Sequence, residues 1–398
     1  MANSKDPVRV LIVDDTAFMR RALVDIFSRD ADINVVGVAS HGQEAIEAIE
    51  LLSPDVITMD VDMPVMDGIT AIKYIMVKNP KPIIMISGMG GHGPVTLEAF
   101  KLGAVDFLQK PSGTISLDIH SQAEQLCMAV KQAVTVDARH IKRARLRMPV
   151  ISPVPVTGRA NGLLIFLALK GACGQVMRTL MHLKSSLPVS ILVIHDMPPE
   201  VLKSYATALS RHVPWGIRVD ERGMLQTPVQ EEGFEDLSCD IAERFCSERG
   251  VAHFYRLAPN DDLDLFLLAV AEKLREKALV VLFGGPSDAG IEGMAAVAEA
   301  GGVSLAMSPD ICIYPHATKH AIESGAAVQV QTENDLWNRL DIFSSRLKFA
   351  VGANEDVQQQ PLTVTDAAME SSHAGALPEQ EGLEIRTDET SAPLEMTL

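Results

Sequence analysis

Two stretches decide the reading of this chain: VLIVDD at residues 10–15 and MDVDMPVMDG at residues 59–68. Each is a short apolar run that ends in carboxylates. Working outward, residues 8 to about 110 alternate apolar runs with amphipathic segments. The runs are Val8–Val13, Ile33–Val38, Asp55–Met59, Pro82–Ile86 and Val105–Leu108, and the segments between them include Ala17–Phe27 and Gln43–Leu52. Continuous apolar runs read as strands buried on both faces, and their alternation with helices reads as βα units. Five such units predict a doubly wound parallel sheet, with ligands held outside the carboxyl ends of its strands.

The polar residues fall at those ends. Asp14 and Asp15 close the first run, Asp60 closes the third, Ser87 the fourth, and Lys110-Pro111 follows the fifth. Adjacent central strands deliver the three carboxylates to one edge, where they repel unless a cation joins them. An all-oxygen set with open positions suits Mg²⁺. Lys110 adds fixed positive charge and Ser87 a hydroxyl donor. These parts suit phosphoryl transfer to a carboxylate, with Asp60 as nucleophile.

VLIVDD, MDVDMPVMDG and the Lys110-Pro111 pair resemble a response-regulator receiver domain, which has a flavodoxin-like (βα)5 fold. The resemblance implies that Asp60 accepts phosphate from a histidine kinase. It also implies that Asp15, Asp60 and the Asp62 backbone carbonyl hold Mg²⁺ with Asp14 assisting, and that Ser87 and Phe107 form the switch pair beside Lys110. MISGMGGHG (85–93) and the segment running on to Lys110 are similar to the receiver of the chemotaxis methylesterase family, CheB.

Strand and helix signals resume at Leu163–Leu169 and continue to about residue 350. Ile191–Ile194, Ala278–Phe283 and Val303–Met307 read as buried parallel strands, with helices at Gln175–Leu183, Leu263–Arg275 and Met294–Glu299. Several segments resemble the CheB methylesterase domain: VIHDMPPE (193–200), NDDLDLF (260–266), EAGGVSLAMSPD (299–310) and YPHATKHAIESGA (314–326). The expected fold is therefore a receiver followed by a second doubly wound parallel α/β domain of CheB methylesterase type. That family hydrolyses methyl-glutamate esters on chemoreceptors and deamidates receptor glutamines with a Ser-His-Asp triad.

The departures fall where that chemistry belongs. The family's nucleophile turn reads here ALKGAC (168–173), which places Lys170 at the serine position. The family's catalytic histidine falls on Asp196, with His195 one place earlier. Asp288 keeps the triad acid in an otherwise altered LFGGPSDAG (282–290). A triad needs a hydroxyl within reach of a histidine base, so the esterase is expected to be inactive. Lys170 is expected either to pair with Asp196 and Asp288, since a buried lysine is costly unless paired, or to carry its ammonium out to solvent with the old cleft partly filled. A relocated set, Cys173, His195 and Asp288, is the alternative. It meets the objection that a one-residue shift along a strand turns a side chain to the opposite face.

Length and composition frame these readings. The 398 residues suit two or three domains, and 47% hydrophobic with 22% charged residues is ordinary globular composition. A net charge of −17 argues against a nucleic-acid partner. Five scattered cysteines carry no metal-ligand spacing. No secretory signal is expected, and the apolar run at 162–169 is too short for membrane insertion. The expected location is the cytoplasm.

The expected division is a receiver at 1–112, a linker at 113–161, a degenerate methylesterase-like domain at 162–350 and an acidic disordered tail at 351–398. The linker carries an amphipathic helix over Ser121–Val134, a basic run at 139–147 and a proline-rich stretch at 149–156. The tail holds ten Asp or Glu, one Arg and no Lys. The implied partners are a chemotaxis-type sensor histidine kinase and a chemoreceptor or other chemosensory array protein. Three functions compete: a response regulator whose second domain binds or regulates, an active methylesterase or deamidase, and a phosphate sink.

Overall fold

Apolar, β-branched runs become the central strands. The computed structural model describes residues 6–88, 93–110, 118–136, 141, 158–220, 245–258 and 261–349. In the first layer β1 (Val8–Val13), β2 (Ile33–Ala39), β3 (Val56–Asp60), β4 (Ile83–Ser87) and β5 (Asp106–Gln109) form one parallel sheet of order β2-β1-β3-β4-β5. Every residue of β3 and β4 is buried, as strands covered on both faces require. The covering helices are α1 (Ala17–Phe27), α2 (Gly42–Leu52), α3 (Gly68–Lys78), α4 (Gly93–Leu102) and α5 (Asp118–Ala133). The order reverses at β1, so the loops after β1 and β3 open side by side.

Helix starts are set by local chemistry. Asp67 caps α3, its carboxylate accepting the Thr70 amide at 2.6 Å. Gly68 then lies so close to β3 that a Cβ there would sit 2.0 Å from the Asp60 carbonyl oxygen. The glycine that ends MDVDMPVMDG is thus required by close approach.

The helix expected as part of a linker is α5, and it belongs to the first layer. Leu126, Ala129 and Val130 pack with Val10, Ile12, Phe27 and Ile84, and Lys131 pairs with Asp30 at 2.7 Å. Those apolar positions recur at helical spacing because they face the sheet. The basic run at 139–147 (apart from Ile141), the proline-rich stretch at 149–156 and the acidic tail at 351–398 lie outside the described residues.

The second layer is a seven-stranded parallel sheet of order β12-β11-β10-β6-β7-β9-β8. Its strands are β6 (Gly162–Leu167), β7 (Val189–His195), β8 (Gly216–Asp220), β9 (Val251–Arg256), β10 (Ala278–Leu282), β11 (Val303–Met307) and β12 (Val328–Val330). Its helices are α6 (Cys173–His182), α7 (Pro199–Leu209), α8 (Leu263–Leu274), α9 (Ile291–Glu299), α10 (His316–Glu323) and α11 (Glu333–Phe349). Along β6, Leu164 and Phe166 enter one apolar core while Leu163, Ile165 and Leu167 enter another. Three strands, β8, β9 and β12, were not foreseen. GIRVD, VAHFYR and VQV mix polar and apolar residues and lie towards the sheet margins, where a continuous apolar run is not needed.

The two sheets share a core. Met85, Phe100 and Phe107 from the first layer cluster with Leu180, Leu202 and Tyr205 from the second. Phe100 on α4 meets Tyr205 on α7 edge-on, with centroids 5.9 Å apart. Among the described residues, no helix is long and apolar enough to cross a membrane.

Candidate functional site

At the first sheet, strand pairing assembles the acidic cluster. β1 and β3 run in parallel with Val13 opposite Met59, so Asp14 and Asp60 emerge together. Both are buried, while Asp15 is exposed, and ligand oxygens of all three lie within 4.8 Å of one another. Lys110 Nζ stands 2.8 Å from Asp14 Oδ2 and 2.7 Å from Asp60 Oδ2. Its backbone amide donates to the Ser87 carbonyl at 2.7 Å, which ties the ends of β4 and β5 together. The Val61 amide donates to Asp60 Oδ1 at 2.7 Å. Arg20 donates to the carbonyls of Asp14 and Asp15 at 2.7 and 2.9 Å, anchoring the acidic loop.

Burial pushes the Asp60 carboxyl above its ordinary range and Asp14 adds to the push, while Lys110 opposes both. Burial works against the Lys110 ammonium, but hydrogen bonds to Asp14 and Asp60 outweigh it and raise its pKa. Three carboxylates thus face one ammonium, which leaves room for further positive charge. The all-oxygen donor set fits Mg²⁺, and Asp14, Asp15 and Asp60 are the residues that would hold it. Asp62 is exposed in the loop beyond β3. Ser87 and Phe107 are buried at the ends of β4 and in β5, with Phe107 6.3 Å from Phe100.

At the second sheet the loops after β6, β7 and β10 also meet near the reversal in strand order, as the parallel architecture requires. The expected cluster of Lys170, Asp196 and Asp288 does not form there as ion pairs. Lys170 Nζ instead reaches Asp106 Oδ2 of β5, at 3.1 Å. Asp288 accepts from His316 Nε2 at 3.1 Å and His320 Nδ1 at 3.0 Å, both on α10. The reason is directional: the β10 loop turns towards α10, whereas the β6 loop faces the edge strand of the first sheet. Asp196 stays partly buried beside Lys170, and its carboxyl is pushed up to about 6 by burial and by Asp106, with Lys170 pulling it back.

Cys173 and His195 do come together, against the face-reversal objection. Cys173 Sγ lies 3.9 Å from His195 Nε2, because the first residue of α6 covers the sheet face to which His195 points. Asp288 is engaged with the α10 histidines rather than with this pair. Burial holds the Cys173 thiol well above its usual range and lowers His195 to about 3. Both groups are therefore neutral at pH 7, and His195 Nδ1 is buried with no hydrogen-bond partner among the described residues. A thiolate–imidazolium pair is disfavoured in such surroundings.

Three participants escaped the sequence reading. Asp106 stands in the apolar segment LGAVDFL, and a carboxylate inside a buried strand was the signal. His316 and His320 stand four apart in YPHATKHAIE, a spacing that puts both on one helix face.

Comparisons with known proteins converge on one family. Residues 10–120 match the response regulator receiver domain and residues 168–340 the CheB methylesterase family. A protein of Carboxydothermus hydrogenoformans named protein-glutamate methylesterase/protein-glutamine glutaminase 2 is 33% identical over 344 residues, 81% of this chain and 95% of that one. The protein-glutamate methylesterase/protein-glutamine glutaminase of Thermotoga maritima is 34% identical over 331 residues, 80% of this chain and 94% of that one. The crystal structure of the response regulator domain of Thermotoga maritima CheB is 48% identical, covering 33% of this chain and 98% of that one, with a TM-score of 0.31. With relatives above 30% identity matched over nearly their whole length, the chain belongs to the protein-glutamate methylesterase/protein-glutamine glutaminase family, with a response regulator receiver domain ahead of a CheB methylesterase domain.

Proposed function

We propose that this chain is a response regulator of a chemosensory pathway, phosphorylated on Asp60, whose methylesterase-type domain works by binding rather than by ester hydrolysis. In this reading the receiver runs through α5. A carboxylate oxygen of Asp60 attacks the phosphorus of a kinase phosphohistidine. The new O–P bond replaces the P–N bond, and the leaving imidazole takes up a proton. Lys110 neutralises charge on the transferring group and Ser87 donates to one of its oxygens. Bound Mg²⁺ would add electrostatic stabilisation at Asp14, Asp15 and Asp60. The implied partners are a sensor histidine kinase and a chemoreceptor-like array, and the cytoplasm suits both.

The observation that carries the binding reading is the ion pair of Lys170 with Asp106. In this reading Lys170 stands at the family's nucleophile position, and its ammonium is engaged by the neighbouring domain. The same reading puts Asp196 where the base is required, which would leave neither a hydroxyl nucleophile nor an imidazole in its place.

One observation favours the active-enzyme alternative, namely the contact of Cys173 with His195 at 3.9 Å. The test is methanol release from methylated receptor membranes, with the receiver activated by Mg²⁺ and a phosphoryl donor. An active family member and an Asp60→Asn variant run alongside. No release while Asp60 is phosphorylated supports the binding reading. Release that is lost in both Asp60→Asn and Cys173→Ala overturns it. Rapid turnover of phospho-Asp60 with no phosphorylation-dependent partner would mark a phosphate sink.

A further inference from the structure

Two histidines and a carboxylate meet outside the carboxyl end of the second sheet, and neither phosphoryl transfer nor the Cys173 contact draws on them. Asp288 stands in the loop between β10 and α9. His316 opens α10 and His320 lies one turn on, so the i, i+4 spacing puts both imidazoles on one helix face. Both converge on a single atom, with His316 Nε2 3.1 Å and His320 Nδ1 3.0 Å from Asp288 Oδ1. Backbone bonds fix the frame beneath them. The Gly285 amide donates to the Tyr314 carbonyl at 2.9 Å and the Ala317 amide to the Gly285 carbonyl at 3.1 Å, which ties the β10 loop to the start of α10. Asp264 of α8 holds the other end of that loop, accepting the Gly290 and Gly293 amides at 3.1 and 2.8 Å. Lys319, the cation between the two histidines in the chain, pairs with Glu323 at 3.8 Å rather than with Asp288.

We propose that Asp288, His316 and His320 form a binding site for a divalent transition ion, with Zn²⁺ the ion that fits best. Donor chemistry sets the class. Two imidazoles and a carboxylate suit Zn²⁺, whereas Mg²⁺ prefers an all-oxygen set such as Asp14, Asp15 and Asp60. Ligand atoms around one tetrahedral Zn²⁺ stand about 3.3 Å apart, and both carboxylate–imidazole separations are already close to that. The imidazoles close on the ion by rotating about χ1 and χ2, which side chains 62% and 51% exposed are free to do. Each neutral ring turns a lone pair to the ion and keeps its proton on the other nitrogen. Water takes the remaining position, as in zinc sites with three protein ligands.

The test is a calorimetric titration of the untagged full chain with Zn²⁺, in excess Mg²⁺ to compete at the acidic cluster of the first sheet. The wild-type protein takes up one equivalent with a Kd in the low micromolar range. His316→Ala, His320→Ala and Asp288→Ala each weaken its uptake by about tenfold or more, since each removes one of the ligands. Lys319→Ala leaves it unchanged. Co²⁺ as a second probe gives the strong visible absorption of a four- or five-coordinate site, where a six-coordinate oxygen set would give a weak one. Far-UV circular dichroism and cooperative melting in EDTA mark each variant as folded.

No uptake by the wild-type protein overturns the site. Uptake undiminished in a His316→Ala/His320→Ala double variant also overturns it, since the ion would then sit elsewhere. Loss in the histidine variants beside wild-type affinity in Asp288→Ala overturns the three-ligand set. None of these outcomes depends on phosphorylation of Asp60 or on ester hydrolysis.

Discussion

Asp60 is ionised at some cost to the fold. Its folded pKa is raised by burial and by Asp14, so between the ordinary carboxylate value and the raised one the folded chain holds a proton that the unfolded chain has lost. Its contribution is greatest at low pH and declines as pH rises through the raised value. Asp60→Asn should therefore raise the melting temperature at pH 7.5 in the absence of Mg²⁺, with the gain shrinking towards pH 4. Added Mg²⁺ should stabilise the wild-type protein more than the variant, and thermal melts with and without the ion check both points.

His195 and Asp196 are neighbours whose burial bends the pH dependence of stability in opposite directions. His195 is lowered to about 3, so stability is lost as pH falls below about 6.5, where only the unfolded imidazole takes a proton. Asp196 is raised to about 6, so its ionisation weakens the fold above that pH and its protonation relieves it below. Melts from pH 4 to 8 should show a flatter acid limb for His195→Gln and higher stability at pH 8 for Asp196→Asn. The sequence reading paired Lys170 with Asp196 and Asp288, and the structure pairs Lys170 with Asp106 and Asp288 with two histidines. Spacing along a chain does not say which way a loop turns, and Lys170, Asp196 and Asp288 come from three loops.

At the scale of elements, the loop after β3 is held by the start of α3. Asp67→Ala removes the bond to the Thr70 amide and should cost about 1 kcal/mol in urea denaturation. Gly68→Ala should cost more and also slow phosphorylation, since its Cβ would displace the Asp60 carbonyl. Radiolabelled phosphoryl transfer reads the second effect. On the opposite face, Leu126→Ala in α5 should cost about 2–5 kcal/mol, because the side chain is buried between α1 and the sheet. Elements with a continuous apolar run were legible in the sequence, among them β1 and β11. Marginal strands such as β8 and β12 were not, because short, partly polar segments become strands only when a neighbour offers its backbone.

Across the whole molecule, the shared core of α4 and α7 makes the receiver and the second layer one packing problem. A double-mutant cycle of Phe100→Leu and Tyr205→Leu in urea should return a coupling of about 1 kcal/mol. A coupling near zero would show that the two rings touch without mutual stabilisation. The sequence by itself determined the two parallel sheets and the carboxylates at the first sheet's edge, because both follow from periodicity and strand ends, which are local. Only the tertiary structure decided that Lys170 pairs with Asp106, that Cys173 meets His195, and that Asp288 is taken up by His316 and His320. Those pairings join residues far apart in the chain, and their geometry depends on how helices and loops pack over the strands rather than on any pattern within them.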